Sequence, residues 1–176
     1  MEKYSLSPFD LEGNIYGKVI WLRSISKVIS FAAALTILAF SAMASVVINE
    51  IELNPPKGGA EWIELYNSGN ESVDISGWTA TITDGSWKGE LSAVPQGTIL
   101  PPGGFYVLDG LESWNHSNGG YGTLYTASGE EVDRTALRLD SLGNDFTFGR
   151  HPDGYDTNTD GDWGLASATR GASNTR

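Results

Sequence analysis

From Ser45 onward the hydrophobic and polar positions alternate with a period of two, and turn residues recur every 8 to 12 positions. That rhythm predicts short antiparallel strands folded as a sandwich or barrel, and no stretch keeps a 3.6-residue period over helical length. The first strand is expected over 46–53, VVINEIEL, ended by Asn54-Pro55-Pro56 because proline cannot continue a ladder. A second, EWIELYN at 61–67, lies between Gly58-Gly59 and the turn Ser68-Gly69-Asn70, and is expected to pair with the first or to lie across the sandwich from it. A third strand region covers 73–78 and 79–83, closed by Asp84-Gly85, and Phe105-Tyr106-Val107-Leu108 forms a short core strand after the corner at 97–104. The polar, glycine-rich stretch 112–121 reads as a surface loop. Strands follow at 135–139 and 145–149, and the chain from Pro152 on reads as loop.

The N-terminal segment has a different pattern. Residues 28–43, VISFAAALTILAFSAM, are uncharged and apolar, with Lys18, Arg23 and Lys27 before them and Ala42-Met43-Ala44 after. A basic flank, an apolar centre and a small-residue A-x-A site are the order of a secretory signal, with cleavage expected between Ala44 and Ser45. The run is just short of a bilayer span, although Val19-Ile20-Trp21-Leu22 extends it if the basic side chains snorkel, so a retained membrane anchor is the competing reading. The expected organisation is therefore an export helix with a long polar flank over 1–44 and one β-sandwich domain over 45–176. Removing the first 44 of the 176 residues leaves 132, the size of a single domain.

Charge narrows the choice of partner. The whole chain has a formal net charge of −11, and since the first 44 residues hold four basic and three acidic side chains, the remainder has −12. Such a surface repels phosphate backbones and anionic headgroups, so no nucleic-acid partner is expected, and contact with a membrane is expected only through the N-terminal segment. There is no cysteine, so neither a disulfide framework nor a thiolate metal site is available.

The ordered strings VVINEI (46–51), EWIELYN (61–67), VDISGWTATITD (73–84), GTILPPGGFYVL (97–108), LRLDSLGNDF (137–146) and GRHPDG (149–154) resemble the lamin-tail domain. The resemblance covers most of 45–176. It implies an immunoglobulin-like antiparallel β-sandwich without a catalytic site of its own, of the kind that ends nuclear lamins and occurs in many exported prokaryotic proteins. The chain departs from nuclear lamins in having no coiled-coil rod and in its export signal, so filament assembly is not implied. The expected function is attachment or interaction at the cell surface through an unknown protein or a glycan. Carbohydrate binding, or service as an accessory domain of a secreted hydrolase system, is the alternative.

Several constellations invite chemistry. Glu50 and Glu64 stand in apolar strands, where two carboxylates can in principle serve as a general acid and base. The preferred reading is that they face a polar side or accept backbone hydrogen bonds that hold the sandwich in register. His116 and His151 are the two histidines, and neither belongs to a nucleophile–base motif, so no catalytic residue is assigned. Trp87, Trp114, Tyr121 and Tyr125, if exposed, would stack on sugar rings, against the plainer reading that most are packed in the core or at corners. Asn70-Glu71-Ser72 and Asn115-His116-Ser117 are glycosylation sequons in expected loops. Finally, Asp156, Asn158, Asp160 and Asp162 alternate around a turn with Gly161 at the sixth position, as in the first half of a calcium loop, with Asp153 as an outside candidate. The twelfth position is Ser167, not a bidentate glutamate, so weak Ca2+ binding is the most this pattern supports, against a solvated acidic turn.

Overall fold

The computed structural model of the chain describes residues 45–111 and 119–175. The expected export helix, Ala44 at the cleavage site, and Trp114, Asn115 and His116 lie outside them. Among the described residues the architecture is all-β with one short 3-10 turn, Asp160–Asp162. The strands are β1 (Val46–Glu52), β2 (Trp62–Asn67), β3 (Val73–Asp74), β4 (Thr79–Asp84), β5 (Trp87–Glu90), β6 (Ile99–Leu100), β7 (Phe105–Asp109), β8 (Gly119–Tyr125), β9 (Glu131–Arg134), β10 (Arg138–Leu139), β11 (Phe146–Arg150) and β12 (Trp163–Ser167). One five-stranded antiparallel sheet runs β12-β11-β1-β2-β7, a second runs β10-β8-β4-β5 with β9 also on β8, and β3 pairs with β6 apart from both.

The first strand shows how sequence spacing sets the local geometry. Ile48 and Ile51 are three residues apart, so strict alternation would turn one of them outward. A bulge between Ile48 and Glu50 absorbs the odd residue, and both isoleucines are fully buried. They lie opposite Leu65 and Ile63 of β2. The same core holds Leu108 from the first sheet, Ala80, Ile82 and Leu124 from the second, and Trp78, Leu91 and Val94 between strands. At Gly122 of β8 the sheets approach closely, since a Cβ there would stand 2.8 Å from Ile63 Cδ1 and 3.1 Å from Ile51 Cδ1.

Four expectations change. The loop expected over 112–121 gives way by Gly119 to β8, which is paired on both sides. Its glycines are required by close neighbours and not by a turn, because a Cβ at Gly119 would meet Arg138 O and one at Gly120 would meet Thr83 O, each at 2.9 Å. The chain after Pro152 contains β12, a five-residue strand that completes the ladder on β11. The strand expected over 135–139 shortens to Arg138–Leu139. In the region expected as one strand over 73–83, Gly77, with φ of 72°, breaks the run, and β3 and β4 belong to different sheets.

Candidate functional site

Alternation along β2 turns Ile63 and Leu65 into the core and Trp62, Glu64 and Tyr66 to the opposite face, and the register sets Glu50 directly across from Glu64. Like charges so placed repel, and both carboxylates are buried, at 1% and 0% exposure. The C-terminal segment, residues 168–175, offsets this by bringing donors onto them. Thr169 N donates to Glu50 Oε1 at 3.0 Å, the Thr169 hydroxyl lies 3.0 Å from Oε2, and the Thr147 hydroxyl donates to Oε1. Gly171 N donates to Glu64 Oε2 at 2.5 Å, and Asn49 Nδ2, from the bulge, donates to Oε1 at 3.2 Å. Burial pushes the Glu64 carboxyl up to about 7, with Asn49 and Gly171 opposing the shift and the facing Glu50 adding to it. Glu52 is also pushed up to about 7 by burial, against the Asn54 N–H that it accepts at 2.9 Å.

The rest of the segment is held as closely. Asn174 donates through Nδ2 to Asn49 O at 3.1 Å and Arg150 O at 2.8 Å, and its own N–H donates to Asp153 at 2.9 Å. Gly149 makes this approach possible, since a Cβ on it would stand 2.7 Å from Asn174 Nδ2. Arg170 lies 5.5 Å from the Trp62 ring and pairs with Asp109. The expected role of Glu50 and Glu64 as acceptors of backbone hydrogen bonds is what the geometry displays. The backbone donors, Thr169 N and Gly171 N, come from a segment more than a hundred residues downstream.

On the core side of β11 stands Arg150, 2% exposed. Its Nε donates to Ile48 O at 2.7 Å, Nη1 to Tyr155 O at 3.1 Å and Asp156 Oδ1 at 2.8 Å, and Nη2 to Asp133 Oδ2 at 3.2 Å. The Trp163 ring is 4.6 Å from the guanidinium carbon. Asp133 also accepts from Ile48 N at 2.8 Å, so one ion pair ties β9 of the second sheet to β1 and β11 of the first. Burial pushes the Asp133 carboxyl up, with Arg150 opposing.

This arrangement bears on the calcium reading. Asp156 is turned onto Arg150, and Asp160 lies 3.2 Å from Arg138 Nη2. Asp162 accepts from Thr157 N and the Thr157 hydroxyl, both at 2.7 Å, and from Thr159 N at 3.2 Å; the Thr157 hydroxyl leads in holding it down at about 2. Asn158 donates its N–H to Asp156 with φ of 58°, and Asp153 accepts from Asn49 and Asn174. The four expected ligands do not converge, and no group of three or more His, Asp or Glu side chains is set to hold a metal among the described residues. Guanidinium groups and local N–H and hydroxyl donors already serve these carboxylates, so the calcium reading gains no support from the geometry.

Beside the C-terminal segment, a groove of about 300 Å3 opens over β11 and β12. Gly149, Gly164, Ala166 and Thr147 line it, together with Glu50 and Asn174. His151 also lines it, and the buried Nδ1 of His151 has no hydrogen-bond partner among the described residues.

The aromatic residues considered for sugar stacking are differently engaged. Trp87 is partly buried against the core, in line with the plainer packing reading, while Arg134 stands 5.1 Å from the Tyr121 ring and Lys88 5.7 Å from the Tyr125 ring. Asn70 is exposed in the bend after β2, where a glycan has room. Missed in the sequence were the C-terminal donors Thr169, Gly171 and Asn174, which follow no pattern, and Arg150. Arg150 did leave a signal, because it shares the parity of Phe146 and Phe148 and so faces inward.

A family model, the Lamin Tail Domain, matches residues 39–139. The match takes in β1 to β10 and stops before β11, β12 and the segment that covers Glu50 and Glu64. No curated protein matches the chain.

Proposed function

Because this chain belongs to the lamin tail domain family, we propose that it works as a non-catalytic interaction module, exported from the cytoplasm and acting at the cell surface. The observation that carries the non-catalytic reading is the engagement of Glu50 and Glu64. Each is buried, and each accepts hydrogen bonds from the C-terminal segment, so both carboxylates are engaged in holding that segment to the sheet. Export rests on the apolar run at 28–43 and its small-residue boundary. Sugar binding has less behind it, since cationic side chains stand over the rings of Tyr121 and Tyr125.

The test is to express the full chain in a native-like host, fractionate the cells, and measure the N-terminus by mass spectrometry and retention on washed envelope. The expected result is a chain beginning at Ser45 that is retained saturably on the envelope and turns over none of the surface polymers it meets. Intact Met1 on a soluble cytoplasmic chain would remove the export part, and turnover by the purified chain would remove the module part.

A further inference from the structure

The bonds that bracket β12 determine which of its backbone groups are used. Ala168 N donates to Asp145 O at 2.7 Å and His151 N to Asp162 O at 2.9 Å. With the register Gly149 to Gly164 and Thr147 to Ala166 between them, alternation of the antiparallel ladder directs the N–H and C=O of Leu165 and Ser167 away from β11, to the open side of the sheet. No strand pairs with that side among the described residues.

Open edges are ordinarily guarded by charge, proline or a bulge. The edge strand β5, WKGE, carries Lys88 and Glu90, and β7 ends in Asp109, which Arg170 pairs. By contrast β12, WGLAS, has no charge, no proline and no bulge. Its two faces also differ. On the face of Trp163, Leu165 is 50% exposed, and Phe146, diagonal to it on β11, is 41% exposed. On the other face lies the groove, with Gly164 open enough that a Cβ there would meet nothing within 4 Å. Its lining includes Glu50, 1% exposed, whose carboxylate is engaged by hydroxyls and an N–H and by no cationic group.

We propose that the β12 edge and its groove take an extended peptide segment of a partner protein by strand addition, a segment whose residues alternate apolar and basic. The ladder groups of Leu165 and Ser167 supply the backbone bonds, the apolar residues pack on Leu165 and Phe146, and the basic ones enter the groove toward Glu50. Charge selects a basic partner over a second copy of this chain, because two copies would each bring a net −12 from residues 45–176 to the shared edge. The inference rests on the reading of the chain as an interaction module and names the partner chemistry of that module.

The probe is a synthetic hexapeptide alternating valine with lysine or arginine, titrated by calorimetry into the full chain and into two variants. L165P removes an N–H that points away from β11, and G164K fills the groove with a cation where a Cβ has space. Melting temperature and β-sheet circular dichroism establish that both are folded, and G164K keeps the test alive if L165P does not fold. Binding is expected to fall at least tenfold in each folded variant and at least tenfold between low and high salt, and a valine–glutamate peptide is expected not to bind. Equal binding to wild type and G164K, equal binding of the glutamate peptide, or a wild-type dimer that L165P dissolves would overturn the proposal. Envelope retention separates the two readings: retention unchanged in G164K sinks the strand-addition site and leaves the module, whereas no retention and no peptide binding by the wild type sinks both.

Discussion

Replacing Arg150 by methionine probes the joint between the sheets. The variant keeps an apolar stem beside Trp163 but removes four hydrogen bonds, to Ile48 O, Tyr155 O, Asp156 and Asp133, and strands Asp133 in a buried site. Breaking a buried ion pair by removing one partner costs about 3–5 kcal/mol, because the remaining charge is desolvated without compensation. Taking the middle of that range, and an unfolding entropy of about 2.1 cal/mol/K per residue over roughly 130 residues, the melting temperature should fall by about 15 °C. Urea unfolding followed by circular dichroism should show the midpoint drop with the slope unchanged. The pairing itself is tested by the double variant: D133N should destabilise the R150M background by much less than it destabilises the wild type. A loss below about 1 kcal/mol for R150M, or strict additivity with D133N, would show that the arginine does not hold the sheets together.

Stability should depend on pH with a maximum at about pH 4 to 4.5. Glu52 and Glu64 have folded values of about 7 against 4.5 unfolded, so the folded state binds protons more tightly and stability falls as pH rises from about 4.5 to 7, by roughly 1–2 kcal/mol per group after allowance for solvent screening; E64Q should flatten this limb, and an unchanged slope would contradict the assignment. Asp162 works in the opposite sense, its depressed value contributing stability that is lost as pH falls from about 4 to about 2. G122V should cost about 1–3 kcal/mol by pushing the sheets apart at Ile63 and Ile51, and a variant melting with the wild type would show that the close approach has slack. W78A, in the shared core, should lose about 3–5 kcal/mol, and W62A roughly half that, because Trp62 lies on the outer face under Arg170, which can settle into the space; equal losses in urea melts would refute that distinction.

What was legible in the sequence is what depends on local pattern. A period of two with regular turn signals yields an antiparallel all-β chain, and strings such as EWIELYN and VDISGWTATITD carry the family, because burial on one face of a strand leaves an alternating trace. The strands that went unseen are those whose sequence is governed by close neighbours. In β8, glycines needed where other strands crowd the backbone look like loop residues, and β12 is too short and too mixed to alternate visibly. The candidate site was half legible. Glu50 and Glu64 stood out as acids in apolar strands, but their donors, Thr169 and Gly171, are more than a hundred residues away, and no local rule links them. The acidic turn shows the same limit in reverse. Alternating oxygen ligands are a local pattern, yet whether they close on a metal or on an arginine depends on what the fold sets beside them. Here β11 delivers Arg150 to Asp156, and β10 delivers Arg138 to Asp160. Local alternation thus determined most of the strands and which of their faces are apolar, while tertiary packing alone decided which buried charges meet, because charge pairing reaches across space and leaves no period along the chain.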